Sequence, residues 1–253
     1  MTILLVDAGN SRLKWAELDA AGNASVQQAL AYGERPALAA FLDLLDRYPC
    51  ATHITLVHVL SGLFDDSVMA ACQERAIGLH IARSAAQAYG VVSGYQQPST
   101  LGADRFVGLV AAHHLLGKKA CVVIDCGTAI TLDALDGDGR HLGGLILPGL
   151  QLAADALIAR AQNRLSLSFE QPSVFADATS RAIGGGCLFG VVGAIEGICA
   201  RMQPAFDTAL QYVLTGGDAQ RLQTWLRFEC HLVPDLLMQG LRYITEHEAC
   251  TRC

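Results

Sequence analysis

Two stretches of this chain carry the same chemistry. Ile3-Leu4-Leu5-Val6 runs into Asp7-Ala8-Gly9-Asn10-Ser11, and Cys121-Val122-Val123-Ile124 runs into Asp125-Cys126-Gly127-Thr128-Ala129. In each copy an apolar run of strand length stops at a carboxylate, and a glycine two places on lets the backbone come close to a ligand. Amides in such a turn, with Asn10 and Ser11 in one copy and Thr128 and Thr131 in the other, can bond phosphate oxygens. One Asp-x-Gly alone is equally a turn whose aspartate bonds backbone. The second copy favours a nucleotide site in which the two turns face each other across a cleft.

A third carboxylate, Asp104, falls in Leu101-Gly102-Ala103-Asp104-Arg105, at the start of a helix that follows a loop. The helix dipole favours an aspartate there. That accounts for Asp104 but not for Gly102 and Arg105 beside it. A guanidinium can hold a carboxylate-bearing substrate bidentately. Phosphoryl transfer asks a protein for positioning, charge neutralisation and a carboxylate to take the proton of the attacking hydroxyl.

The elements that must position these residues alternate between strand and helix. Apolar, β-branched runs predict strands over 2–6, 13–18, 55–60, 79–82, 121–125, 130–135, 141–147, 212–215 and 229–233. Helices are expected over about 36–47, 65–74, from Ser99 or Thr100 as cap to 117, from 149 to about 161, over 179–202, and twice after Gly216-Gly217-Asp218. Segments 90–98 and 163–172 read as loops, and 136–139 as a tight hairpin turn. The alternation gives an α/β class. Gly184-Gly185-Gly186 is a poor helix sequence and points to close packing or a ligand. The repeat alone divides the chain into domains 1–115 and 116–253.

Composition narrows the function. The 253 residues are 52% hydrophobic and 17% charged, enough to bury one large core or two smaller ones. A net charge of −6 argues against a nucleic-acid partner. The apolar run from Ala182 to Ile195 is closed by Arg181 and Glu196 short of membrane-spanning length, so no membrane is expected. The first residues lack a basic region and a cleavage site, so no signal peptide is read there. Nine cysteines, mostly in apolar segments, predict reduced thiols in the cytoplasm. Cys250-Thr251-Arg252-Cys253 has no second pair to complete a zinc site. His113 and His114, being adjacent on a helix, point apart and read as structural.

The duplicated turns, with Gly216-Gly217-Asp218 between strand and helix, resemble the actin-like ATPases and sugar kinases. That resemblance implies duplicated ribonuclease-H-like domains, with mixed sheets flanked by helices, clamping ATP and a divalent metal in a central cleft. Within that superfamily, Asp7–Ser11, Leu101–Arg105, Asp125–Thr131 and Gly143-Gly144-Leu145-Ile146-Leu147-Pro148-Gly149 together resemble type III pantothenate kinases. The resemblance implies ATP-dependent phosphorylation of pantothenate, the first step toward coenzyme A, by a homodimer. Two rivals remain: another small-molecule kinase of the fold, and a non-catalytic ATP-binding regulator.

Carried onto this chain, the resemblance makes Asp104 the catalytic base and lines the pantothenate pocket with Tyr95, Gly102, Ala103 and Arg105. Thr179 would reach the pantothenate of the neighbouring subunit, though a threonine at a helix start is also a common cap. Asp7 would hold Mg²⁺. Gly9, Asn10, Ser11, Gly127, Thr128 and Thr131 would bind phosphate, and Asp125 a monovalent cation, K⁺ or NH₄⁺. Gly216 and Gly217 would take the adenosine, although a strand-to-helix turn wants glycine anyway. Lys14 is either a phosphate partner or an exposed strand lysine, and Tyr95 could be an ordinary loop aromatic. Ser11 stands where the family more often has threonine and keeps its hydroxyl, and Trp15 is foreign to the usual run.

Overall fold

The computed structural model describes residues 2–19, 21–60, 62–161, 169 and 172–251. The expected loop over 163–172 falls almost wholly outside them, as does Cys253. The chain divides into two compact units. The first holds residues 1–117, 139–141 and 235–253, and the second holds 118–138 and 142–234.

The first unit begins with strands β1 (Thr2–Ala8), β2 (Arg12–Leu18) and β3 (Gln28–Ala31), then helix α1 (Ala37–Arg47). It continues through β4 (Ala51–His58), α2 (Gly62–Glu74), β5 (Gly78–Ile81), a small hairpin of β6 (Gln87–Ala88) and β7 (Val91–Val92), and α3 (Ala103–Leu115). The second unit carries β8 (Cys121–Cys126), β9 (Ala129–Leu135), most of β10 (His141–Pro148), α4 (Leu150–Ala161), α5 (Thr179–Met202), β11 (Gln211–Thr215), α6 (Ala219–Gln223) and β12 (His231–Leu232). The last helix, α7 (Leu236–Thr251), belongs to the first unit.

The five-stranded sheets share one plan. Their orders are β3-β2-β1-β4-β5 and β10-β9-β8-β11-β12. In the first, β1 pairs antiparallel with β2 and parallel with β4; in the second, β8 pairs antiparallel with β9 and parallel with β11. This is the duplicated, mixed-sheet α/β architecture expected from the repeat. The central strands are apolar because both faces are covered: Leu4 to Ala8 and Ile54 to His58 are buried throughout. On one face of the first sheet, Ala40, Phe41, Leu44 and Leu45 of α1 enter the core at helical spacing. Helices α3 and α7 pack together and also meet β4 and β1. In the second unit, Leu188, Val191, Val192, Ile195 and Cys199 of α5 fill the core.

Several elements differ from the sequence reading. Strand β3 was not expected: it is a short edge strand, mostly exposed, with no apolar alternation to announce it. The 90–98 segment is not wholly loop, because β7 pairs with β6 through a turn whose Tyr89 and Gly90 have φ of 52° and 83°. Helix α3 starts at Ala103, capped by Gly102 without a side-chain bond. Neither Ser99 nor Thr100 caps it; residues 98–100 form a 3₁₀ turn, and the Thr100 hydroxyl donates to the Gln97 carbonyl instead. Arg181 and Glu196, which close the apolar run, both lie inside α5, and the helix continues beyond them. Residues 179–205 are consequently long and apolar enough to cross a bilayer by length and composition, although the helix lines the second unit's core. Of the three glycines, Gly185 has a packing reason: a side chain there would press on the Ser173 carbonyl at 3.0 Å.

Candidate active site

Asp7 stands near the C-terminal end of β1, buried, and opposite Lys14 in the β1–β2 register. The Lys14 ammonium lies 3.6 Å from the Asp7 carboxylate, so this lysine is ion-paired at the turn. The loop from Gly9 to Arg12 is closed by the Gly9 N–H donating to the Arg12 carbonyl at 3.1 Å, leaving Asn10 and Ser11 exposed.

The second turn repeats this with one residue fewer. Ala8 pairs with Leu13 in the first hairpin, whereas Cys126 pairs with Ile130 in the second. Asp125 is flanked in register by Thr131 on β9 and Thr215 on β11. The Gly127 N–H donates to the Ala129 carbonyl at 3.1 Å, and the Gly149 N–H to the Thr128 carbonyl at 3.0 Å. Two glycines press on this turn from outside. A Cβ on Gly149 would overlap the Gly127 carbonyl, and one on Gly216, whose φ is +97°, would overlap the Asp125 carboxylate and Cys126 backbone. The Asp218 N–H donates to the Cys126 carbonyl at 3.0 Å, so the 216–218 turn and the turn after β8 form one piece. Burial first, then the charges of Asp125 and Asp218, push the Cys126 thiol up, which makes it an unreactive hydrophobe here.

In the first unit, Gly102, Ala103, Asp104 and Arg105 open α3. Asp104 accepts the Arg105 backbone N–H at 2.7 Å. The Arg105 side chain is buried to 9% exposure, its guanidinium donating to the Tyr95 hydroxyl at 2.8 Å. The Tyr95 ring stacks on His141 with centroids 5.7 Å apart. Sequence reasoning missed His141, a single histidine at a strand start with no spacing to mark it.

The structure thus brings the proposed substrate residues Tyr95, Gly102, Ala103, Asp104 and Arg105 together. It gathers Asp7, Gly9, Asn10, Ser11 and Lys14 at the end of β1, and Asp125, Gly127, Thr128, Thr131 and Gly216 at the end of β8, with Gly217 following. Thr179 is the exposed first residue of α5. A further polar group lies where β4 ends, beside Ala8 in register: Nε2 of His58 lies against Asp65, which also accepts from Arg83 at 2.7 Å. Its members are scattered in sequence and gave no signal.

No group of three or more His, Cys, Asp or Glu side chains able to hold a metal occurs among the described residues. The donors at hand are single carboxylates beside glycine-bearing turns. That set suits magnesium, which completes its shell with water and phosphate oxygens.

The family model for type III pantothenate kinase matches residues 3–201. A type III pantothenate kinase of Nitrosococcus oceani is 34% identical over 96% of this chain and 94% of its own length. Among solved structures, a Campylobacter jejuni protein provisionally described as a Baf-family transcriptional activator superposes with a TM-score of 0.65 at 24% identity, over 97% of this chain and 99% of the other. A Sinorhizobium meliloti protein, described as a candidate 2-dehydro-3-deoxygalactonokinase, gives a TM-score of 0.61 at 15% identity, over 97% and 96%. These structural likenesses speak to fold alone, that of the sugar kinases and actin-like ATPases.

Proposed function

This chain belongs to the type III pantothenate kinase family, and we propose that it phosphorylates the primary hydroxyl of pantothenate with ATP, giving 4′-phosphopantothenate and ADP for coenzyme A synthesis. The observation that carries the reading is the pairing of Asp7 and Asp125 at equivalent ends of two sheets with identical strand order. Each turn supplies donors to the triphosphate. The buttressing of the second by Gly149 and Gly216 fits a surface that must hold one shape against phosphate.

Asp104 accepts the hydroxyl proton as the alcohol oxygen attacks the γ-phosphorus and the bond to ADP breaks. Arg105 holds the pantothenate carboxylate, with Tyr95 and the Gly102–Ala103 backbone shaping the pocket. Asp7 would hold Mg²⁺, with Lys14 nearby offsetting phosphate charge, and Asp125 a monovalent cation. When bound, such cations neutralise charge on the transferring group. Gly216 and Gly217 take the adenosine. A cytoplasmic location is part of this reading, and the eight free cysteines among the described residues are in keeping with it.

We also propose a homodimer. Leu145 and Ile146 on β10, Leu152 and Leu157 on α4, and Phe175 are exposed, and Gly186, Gly190 and Gly193 form a smooth exposed stripe on α5. Apolar surface of this kind is common at interfaces, and Thr179, proposed to serve a partner's site, begins the same helix. The deciding experiment is ADP release coupled to pantothenate, with and without potassium or ammonium. Turnover that requires pantothenate supports the reading. Hydrolysis indifferent to pantothenate, or nucleotide binding with no turnover, overturns it in favour of a regulator.

A further inference from the structure

His141 is the first residue of β10, a buried imidazole of 2% exposure. It belongs to the first unit, as do Tyr95, Asp104 and Arg105. The backbone before it is tied down: Arg140 forms a parallel bridge with Val92, and the Val92 N–H donates to the Gly139 carbonyl at 2.8 Å. The segment that carries Tyr95 is more open. Gly94, Gln96 and Gln97 are exposed, Tyr95 is half-buried, and its N–H makes a long bond of 3.3 Å to the Ser93 hydroxyl.

The side chain of Tyr95 meets firmer parts of the unit at both ends. Its ring lies on His141 with planes 23° apart and centroids 5.7 Å apart, within the range of offset aromatic stacking. Its hydroxyl accepts from the Arg105 guanidinium at 2.8 Å. Imidazole, phenol and guanidinium thus form a chain from the start of β10 to the start of α3. A flat partner beneath the tyrosine sets its ring plane, and the ring plane sets where the hydroxyl stands. The hydroxyl in turn directs a guanidinium on a long, rotamer-rich stem. We propose that His141 is a positioning residue for the pantothenate site, acting through Tyr95 on the aim of Arg105 at the substrate carboxylate. This rests on the reading of Tyr95 and Arg105 as part of that pocket.

The test compares, in the full chain, His141→Leu, which fills the space without an aromatic face, and His141→Phe, which keeps one. Loss of the aromatic pair should raise the pantothenate KM roughly three- to tenfold in His141→Leu. The KM for ATP should hold, and His141→Phe should keep the wild-type KM for both substrates. In a Tyr95→Ala background the His141→Leu change should add nothing, because the imidazole acts through that ring. An unchanged pantothenate KM, a parallel rise in both KM values, or an equal effect with and without the Tyr95 ring overturns the inference alone. Should His141→Leu fail to fold, His141→Phe decides: a wild-type pantothenate KM supports the inference and a raised one overturns it. A Tyr95→Ala protein with the wild-type pantothenate KM overturns the reading of the pocket together with it.

Discussion

Asp104 accepts the Arg105 N–H, yet a carboxylate has two oxygens and about four lone-pair sites, so this bond can orient it without using it up. As the proposed base, it is asked for only part of the catalysis. Asp104→Asn should therefore lower kcat by roughly 10²–10⁴, with Mg·ATP affinity by calorimetry at the wild-type level. Near-normal turnover would remove Asp104 from its role. Asp65 makes a different prediction. Burial acts to raise its pKa, but the Arg83 guanidinium and His58 outweigh that and hold the carboxyl below its ordinary value. A lowered folded pKa contributes stability that is present above the unfolded value, about 4, and is lost as pH falls through the folded one. Asp65→Asn should cost about 1–2 kcal/mol at neutral pH, and denaturation curves of the two proteins should converge as the pH falls below the unfolded value.

Among the elements, the turn after β11 governs the turn after β8. Gly216→Ala places a side chain on a left-handed backbone and against the Asp125 carboxylate. It should destabilise the protein by about 1–3 kcal/mol and raise the KM for ATP more than that for pantothenate. A variant as stable and as tight for ATP as wild type would mean that this contact holds nothing in place. The same elements show what the chain spells out and what it does not. Strands β1, β4 and β8 are plain in the sequence because burial on both faces demands unbroken apolar runs. The carboxylates near the ends of β1 and β8 stand out for the same reason. Strand β3 and the Gly102 cap leave no such trace: an edge strand needs no apolar face, and a glycine cap is silent beside two better capping residues at 99 and 100. The contacts of Arg105 with Tyr95, and of Tyr95 with His141, depend on how a loop folds back, which no local pattern encodes.

At the scale of the molecule, the proposed dimer makes each site depend on two chains. Asp104→Asn and Thr179→Ala homodimers should each be poorly active. Mixed and allowed to exchange, about half of the dimers are hybrids, each with one site retaining both residues. Activity should therefore rise well above that of either variant alone, and no recovery after demonstrated exchange would place Thr179 outside its partner's site. The last helix has another consequence. Because α7 packs on α3 and meets β1, the earliest-translated unit lacks a wall until all of the second unit has left the ribosome. The later half can close its own core first, reversing the usual amino-to-carboxyl order of co-translational folding. Nascent chains halted before residue 236 should leave the first sheet open to proteases and chaperones.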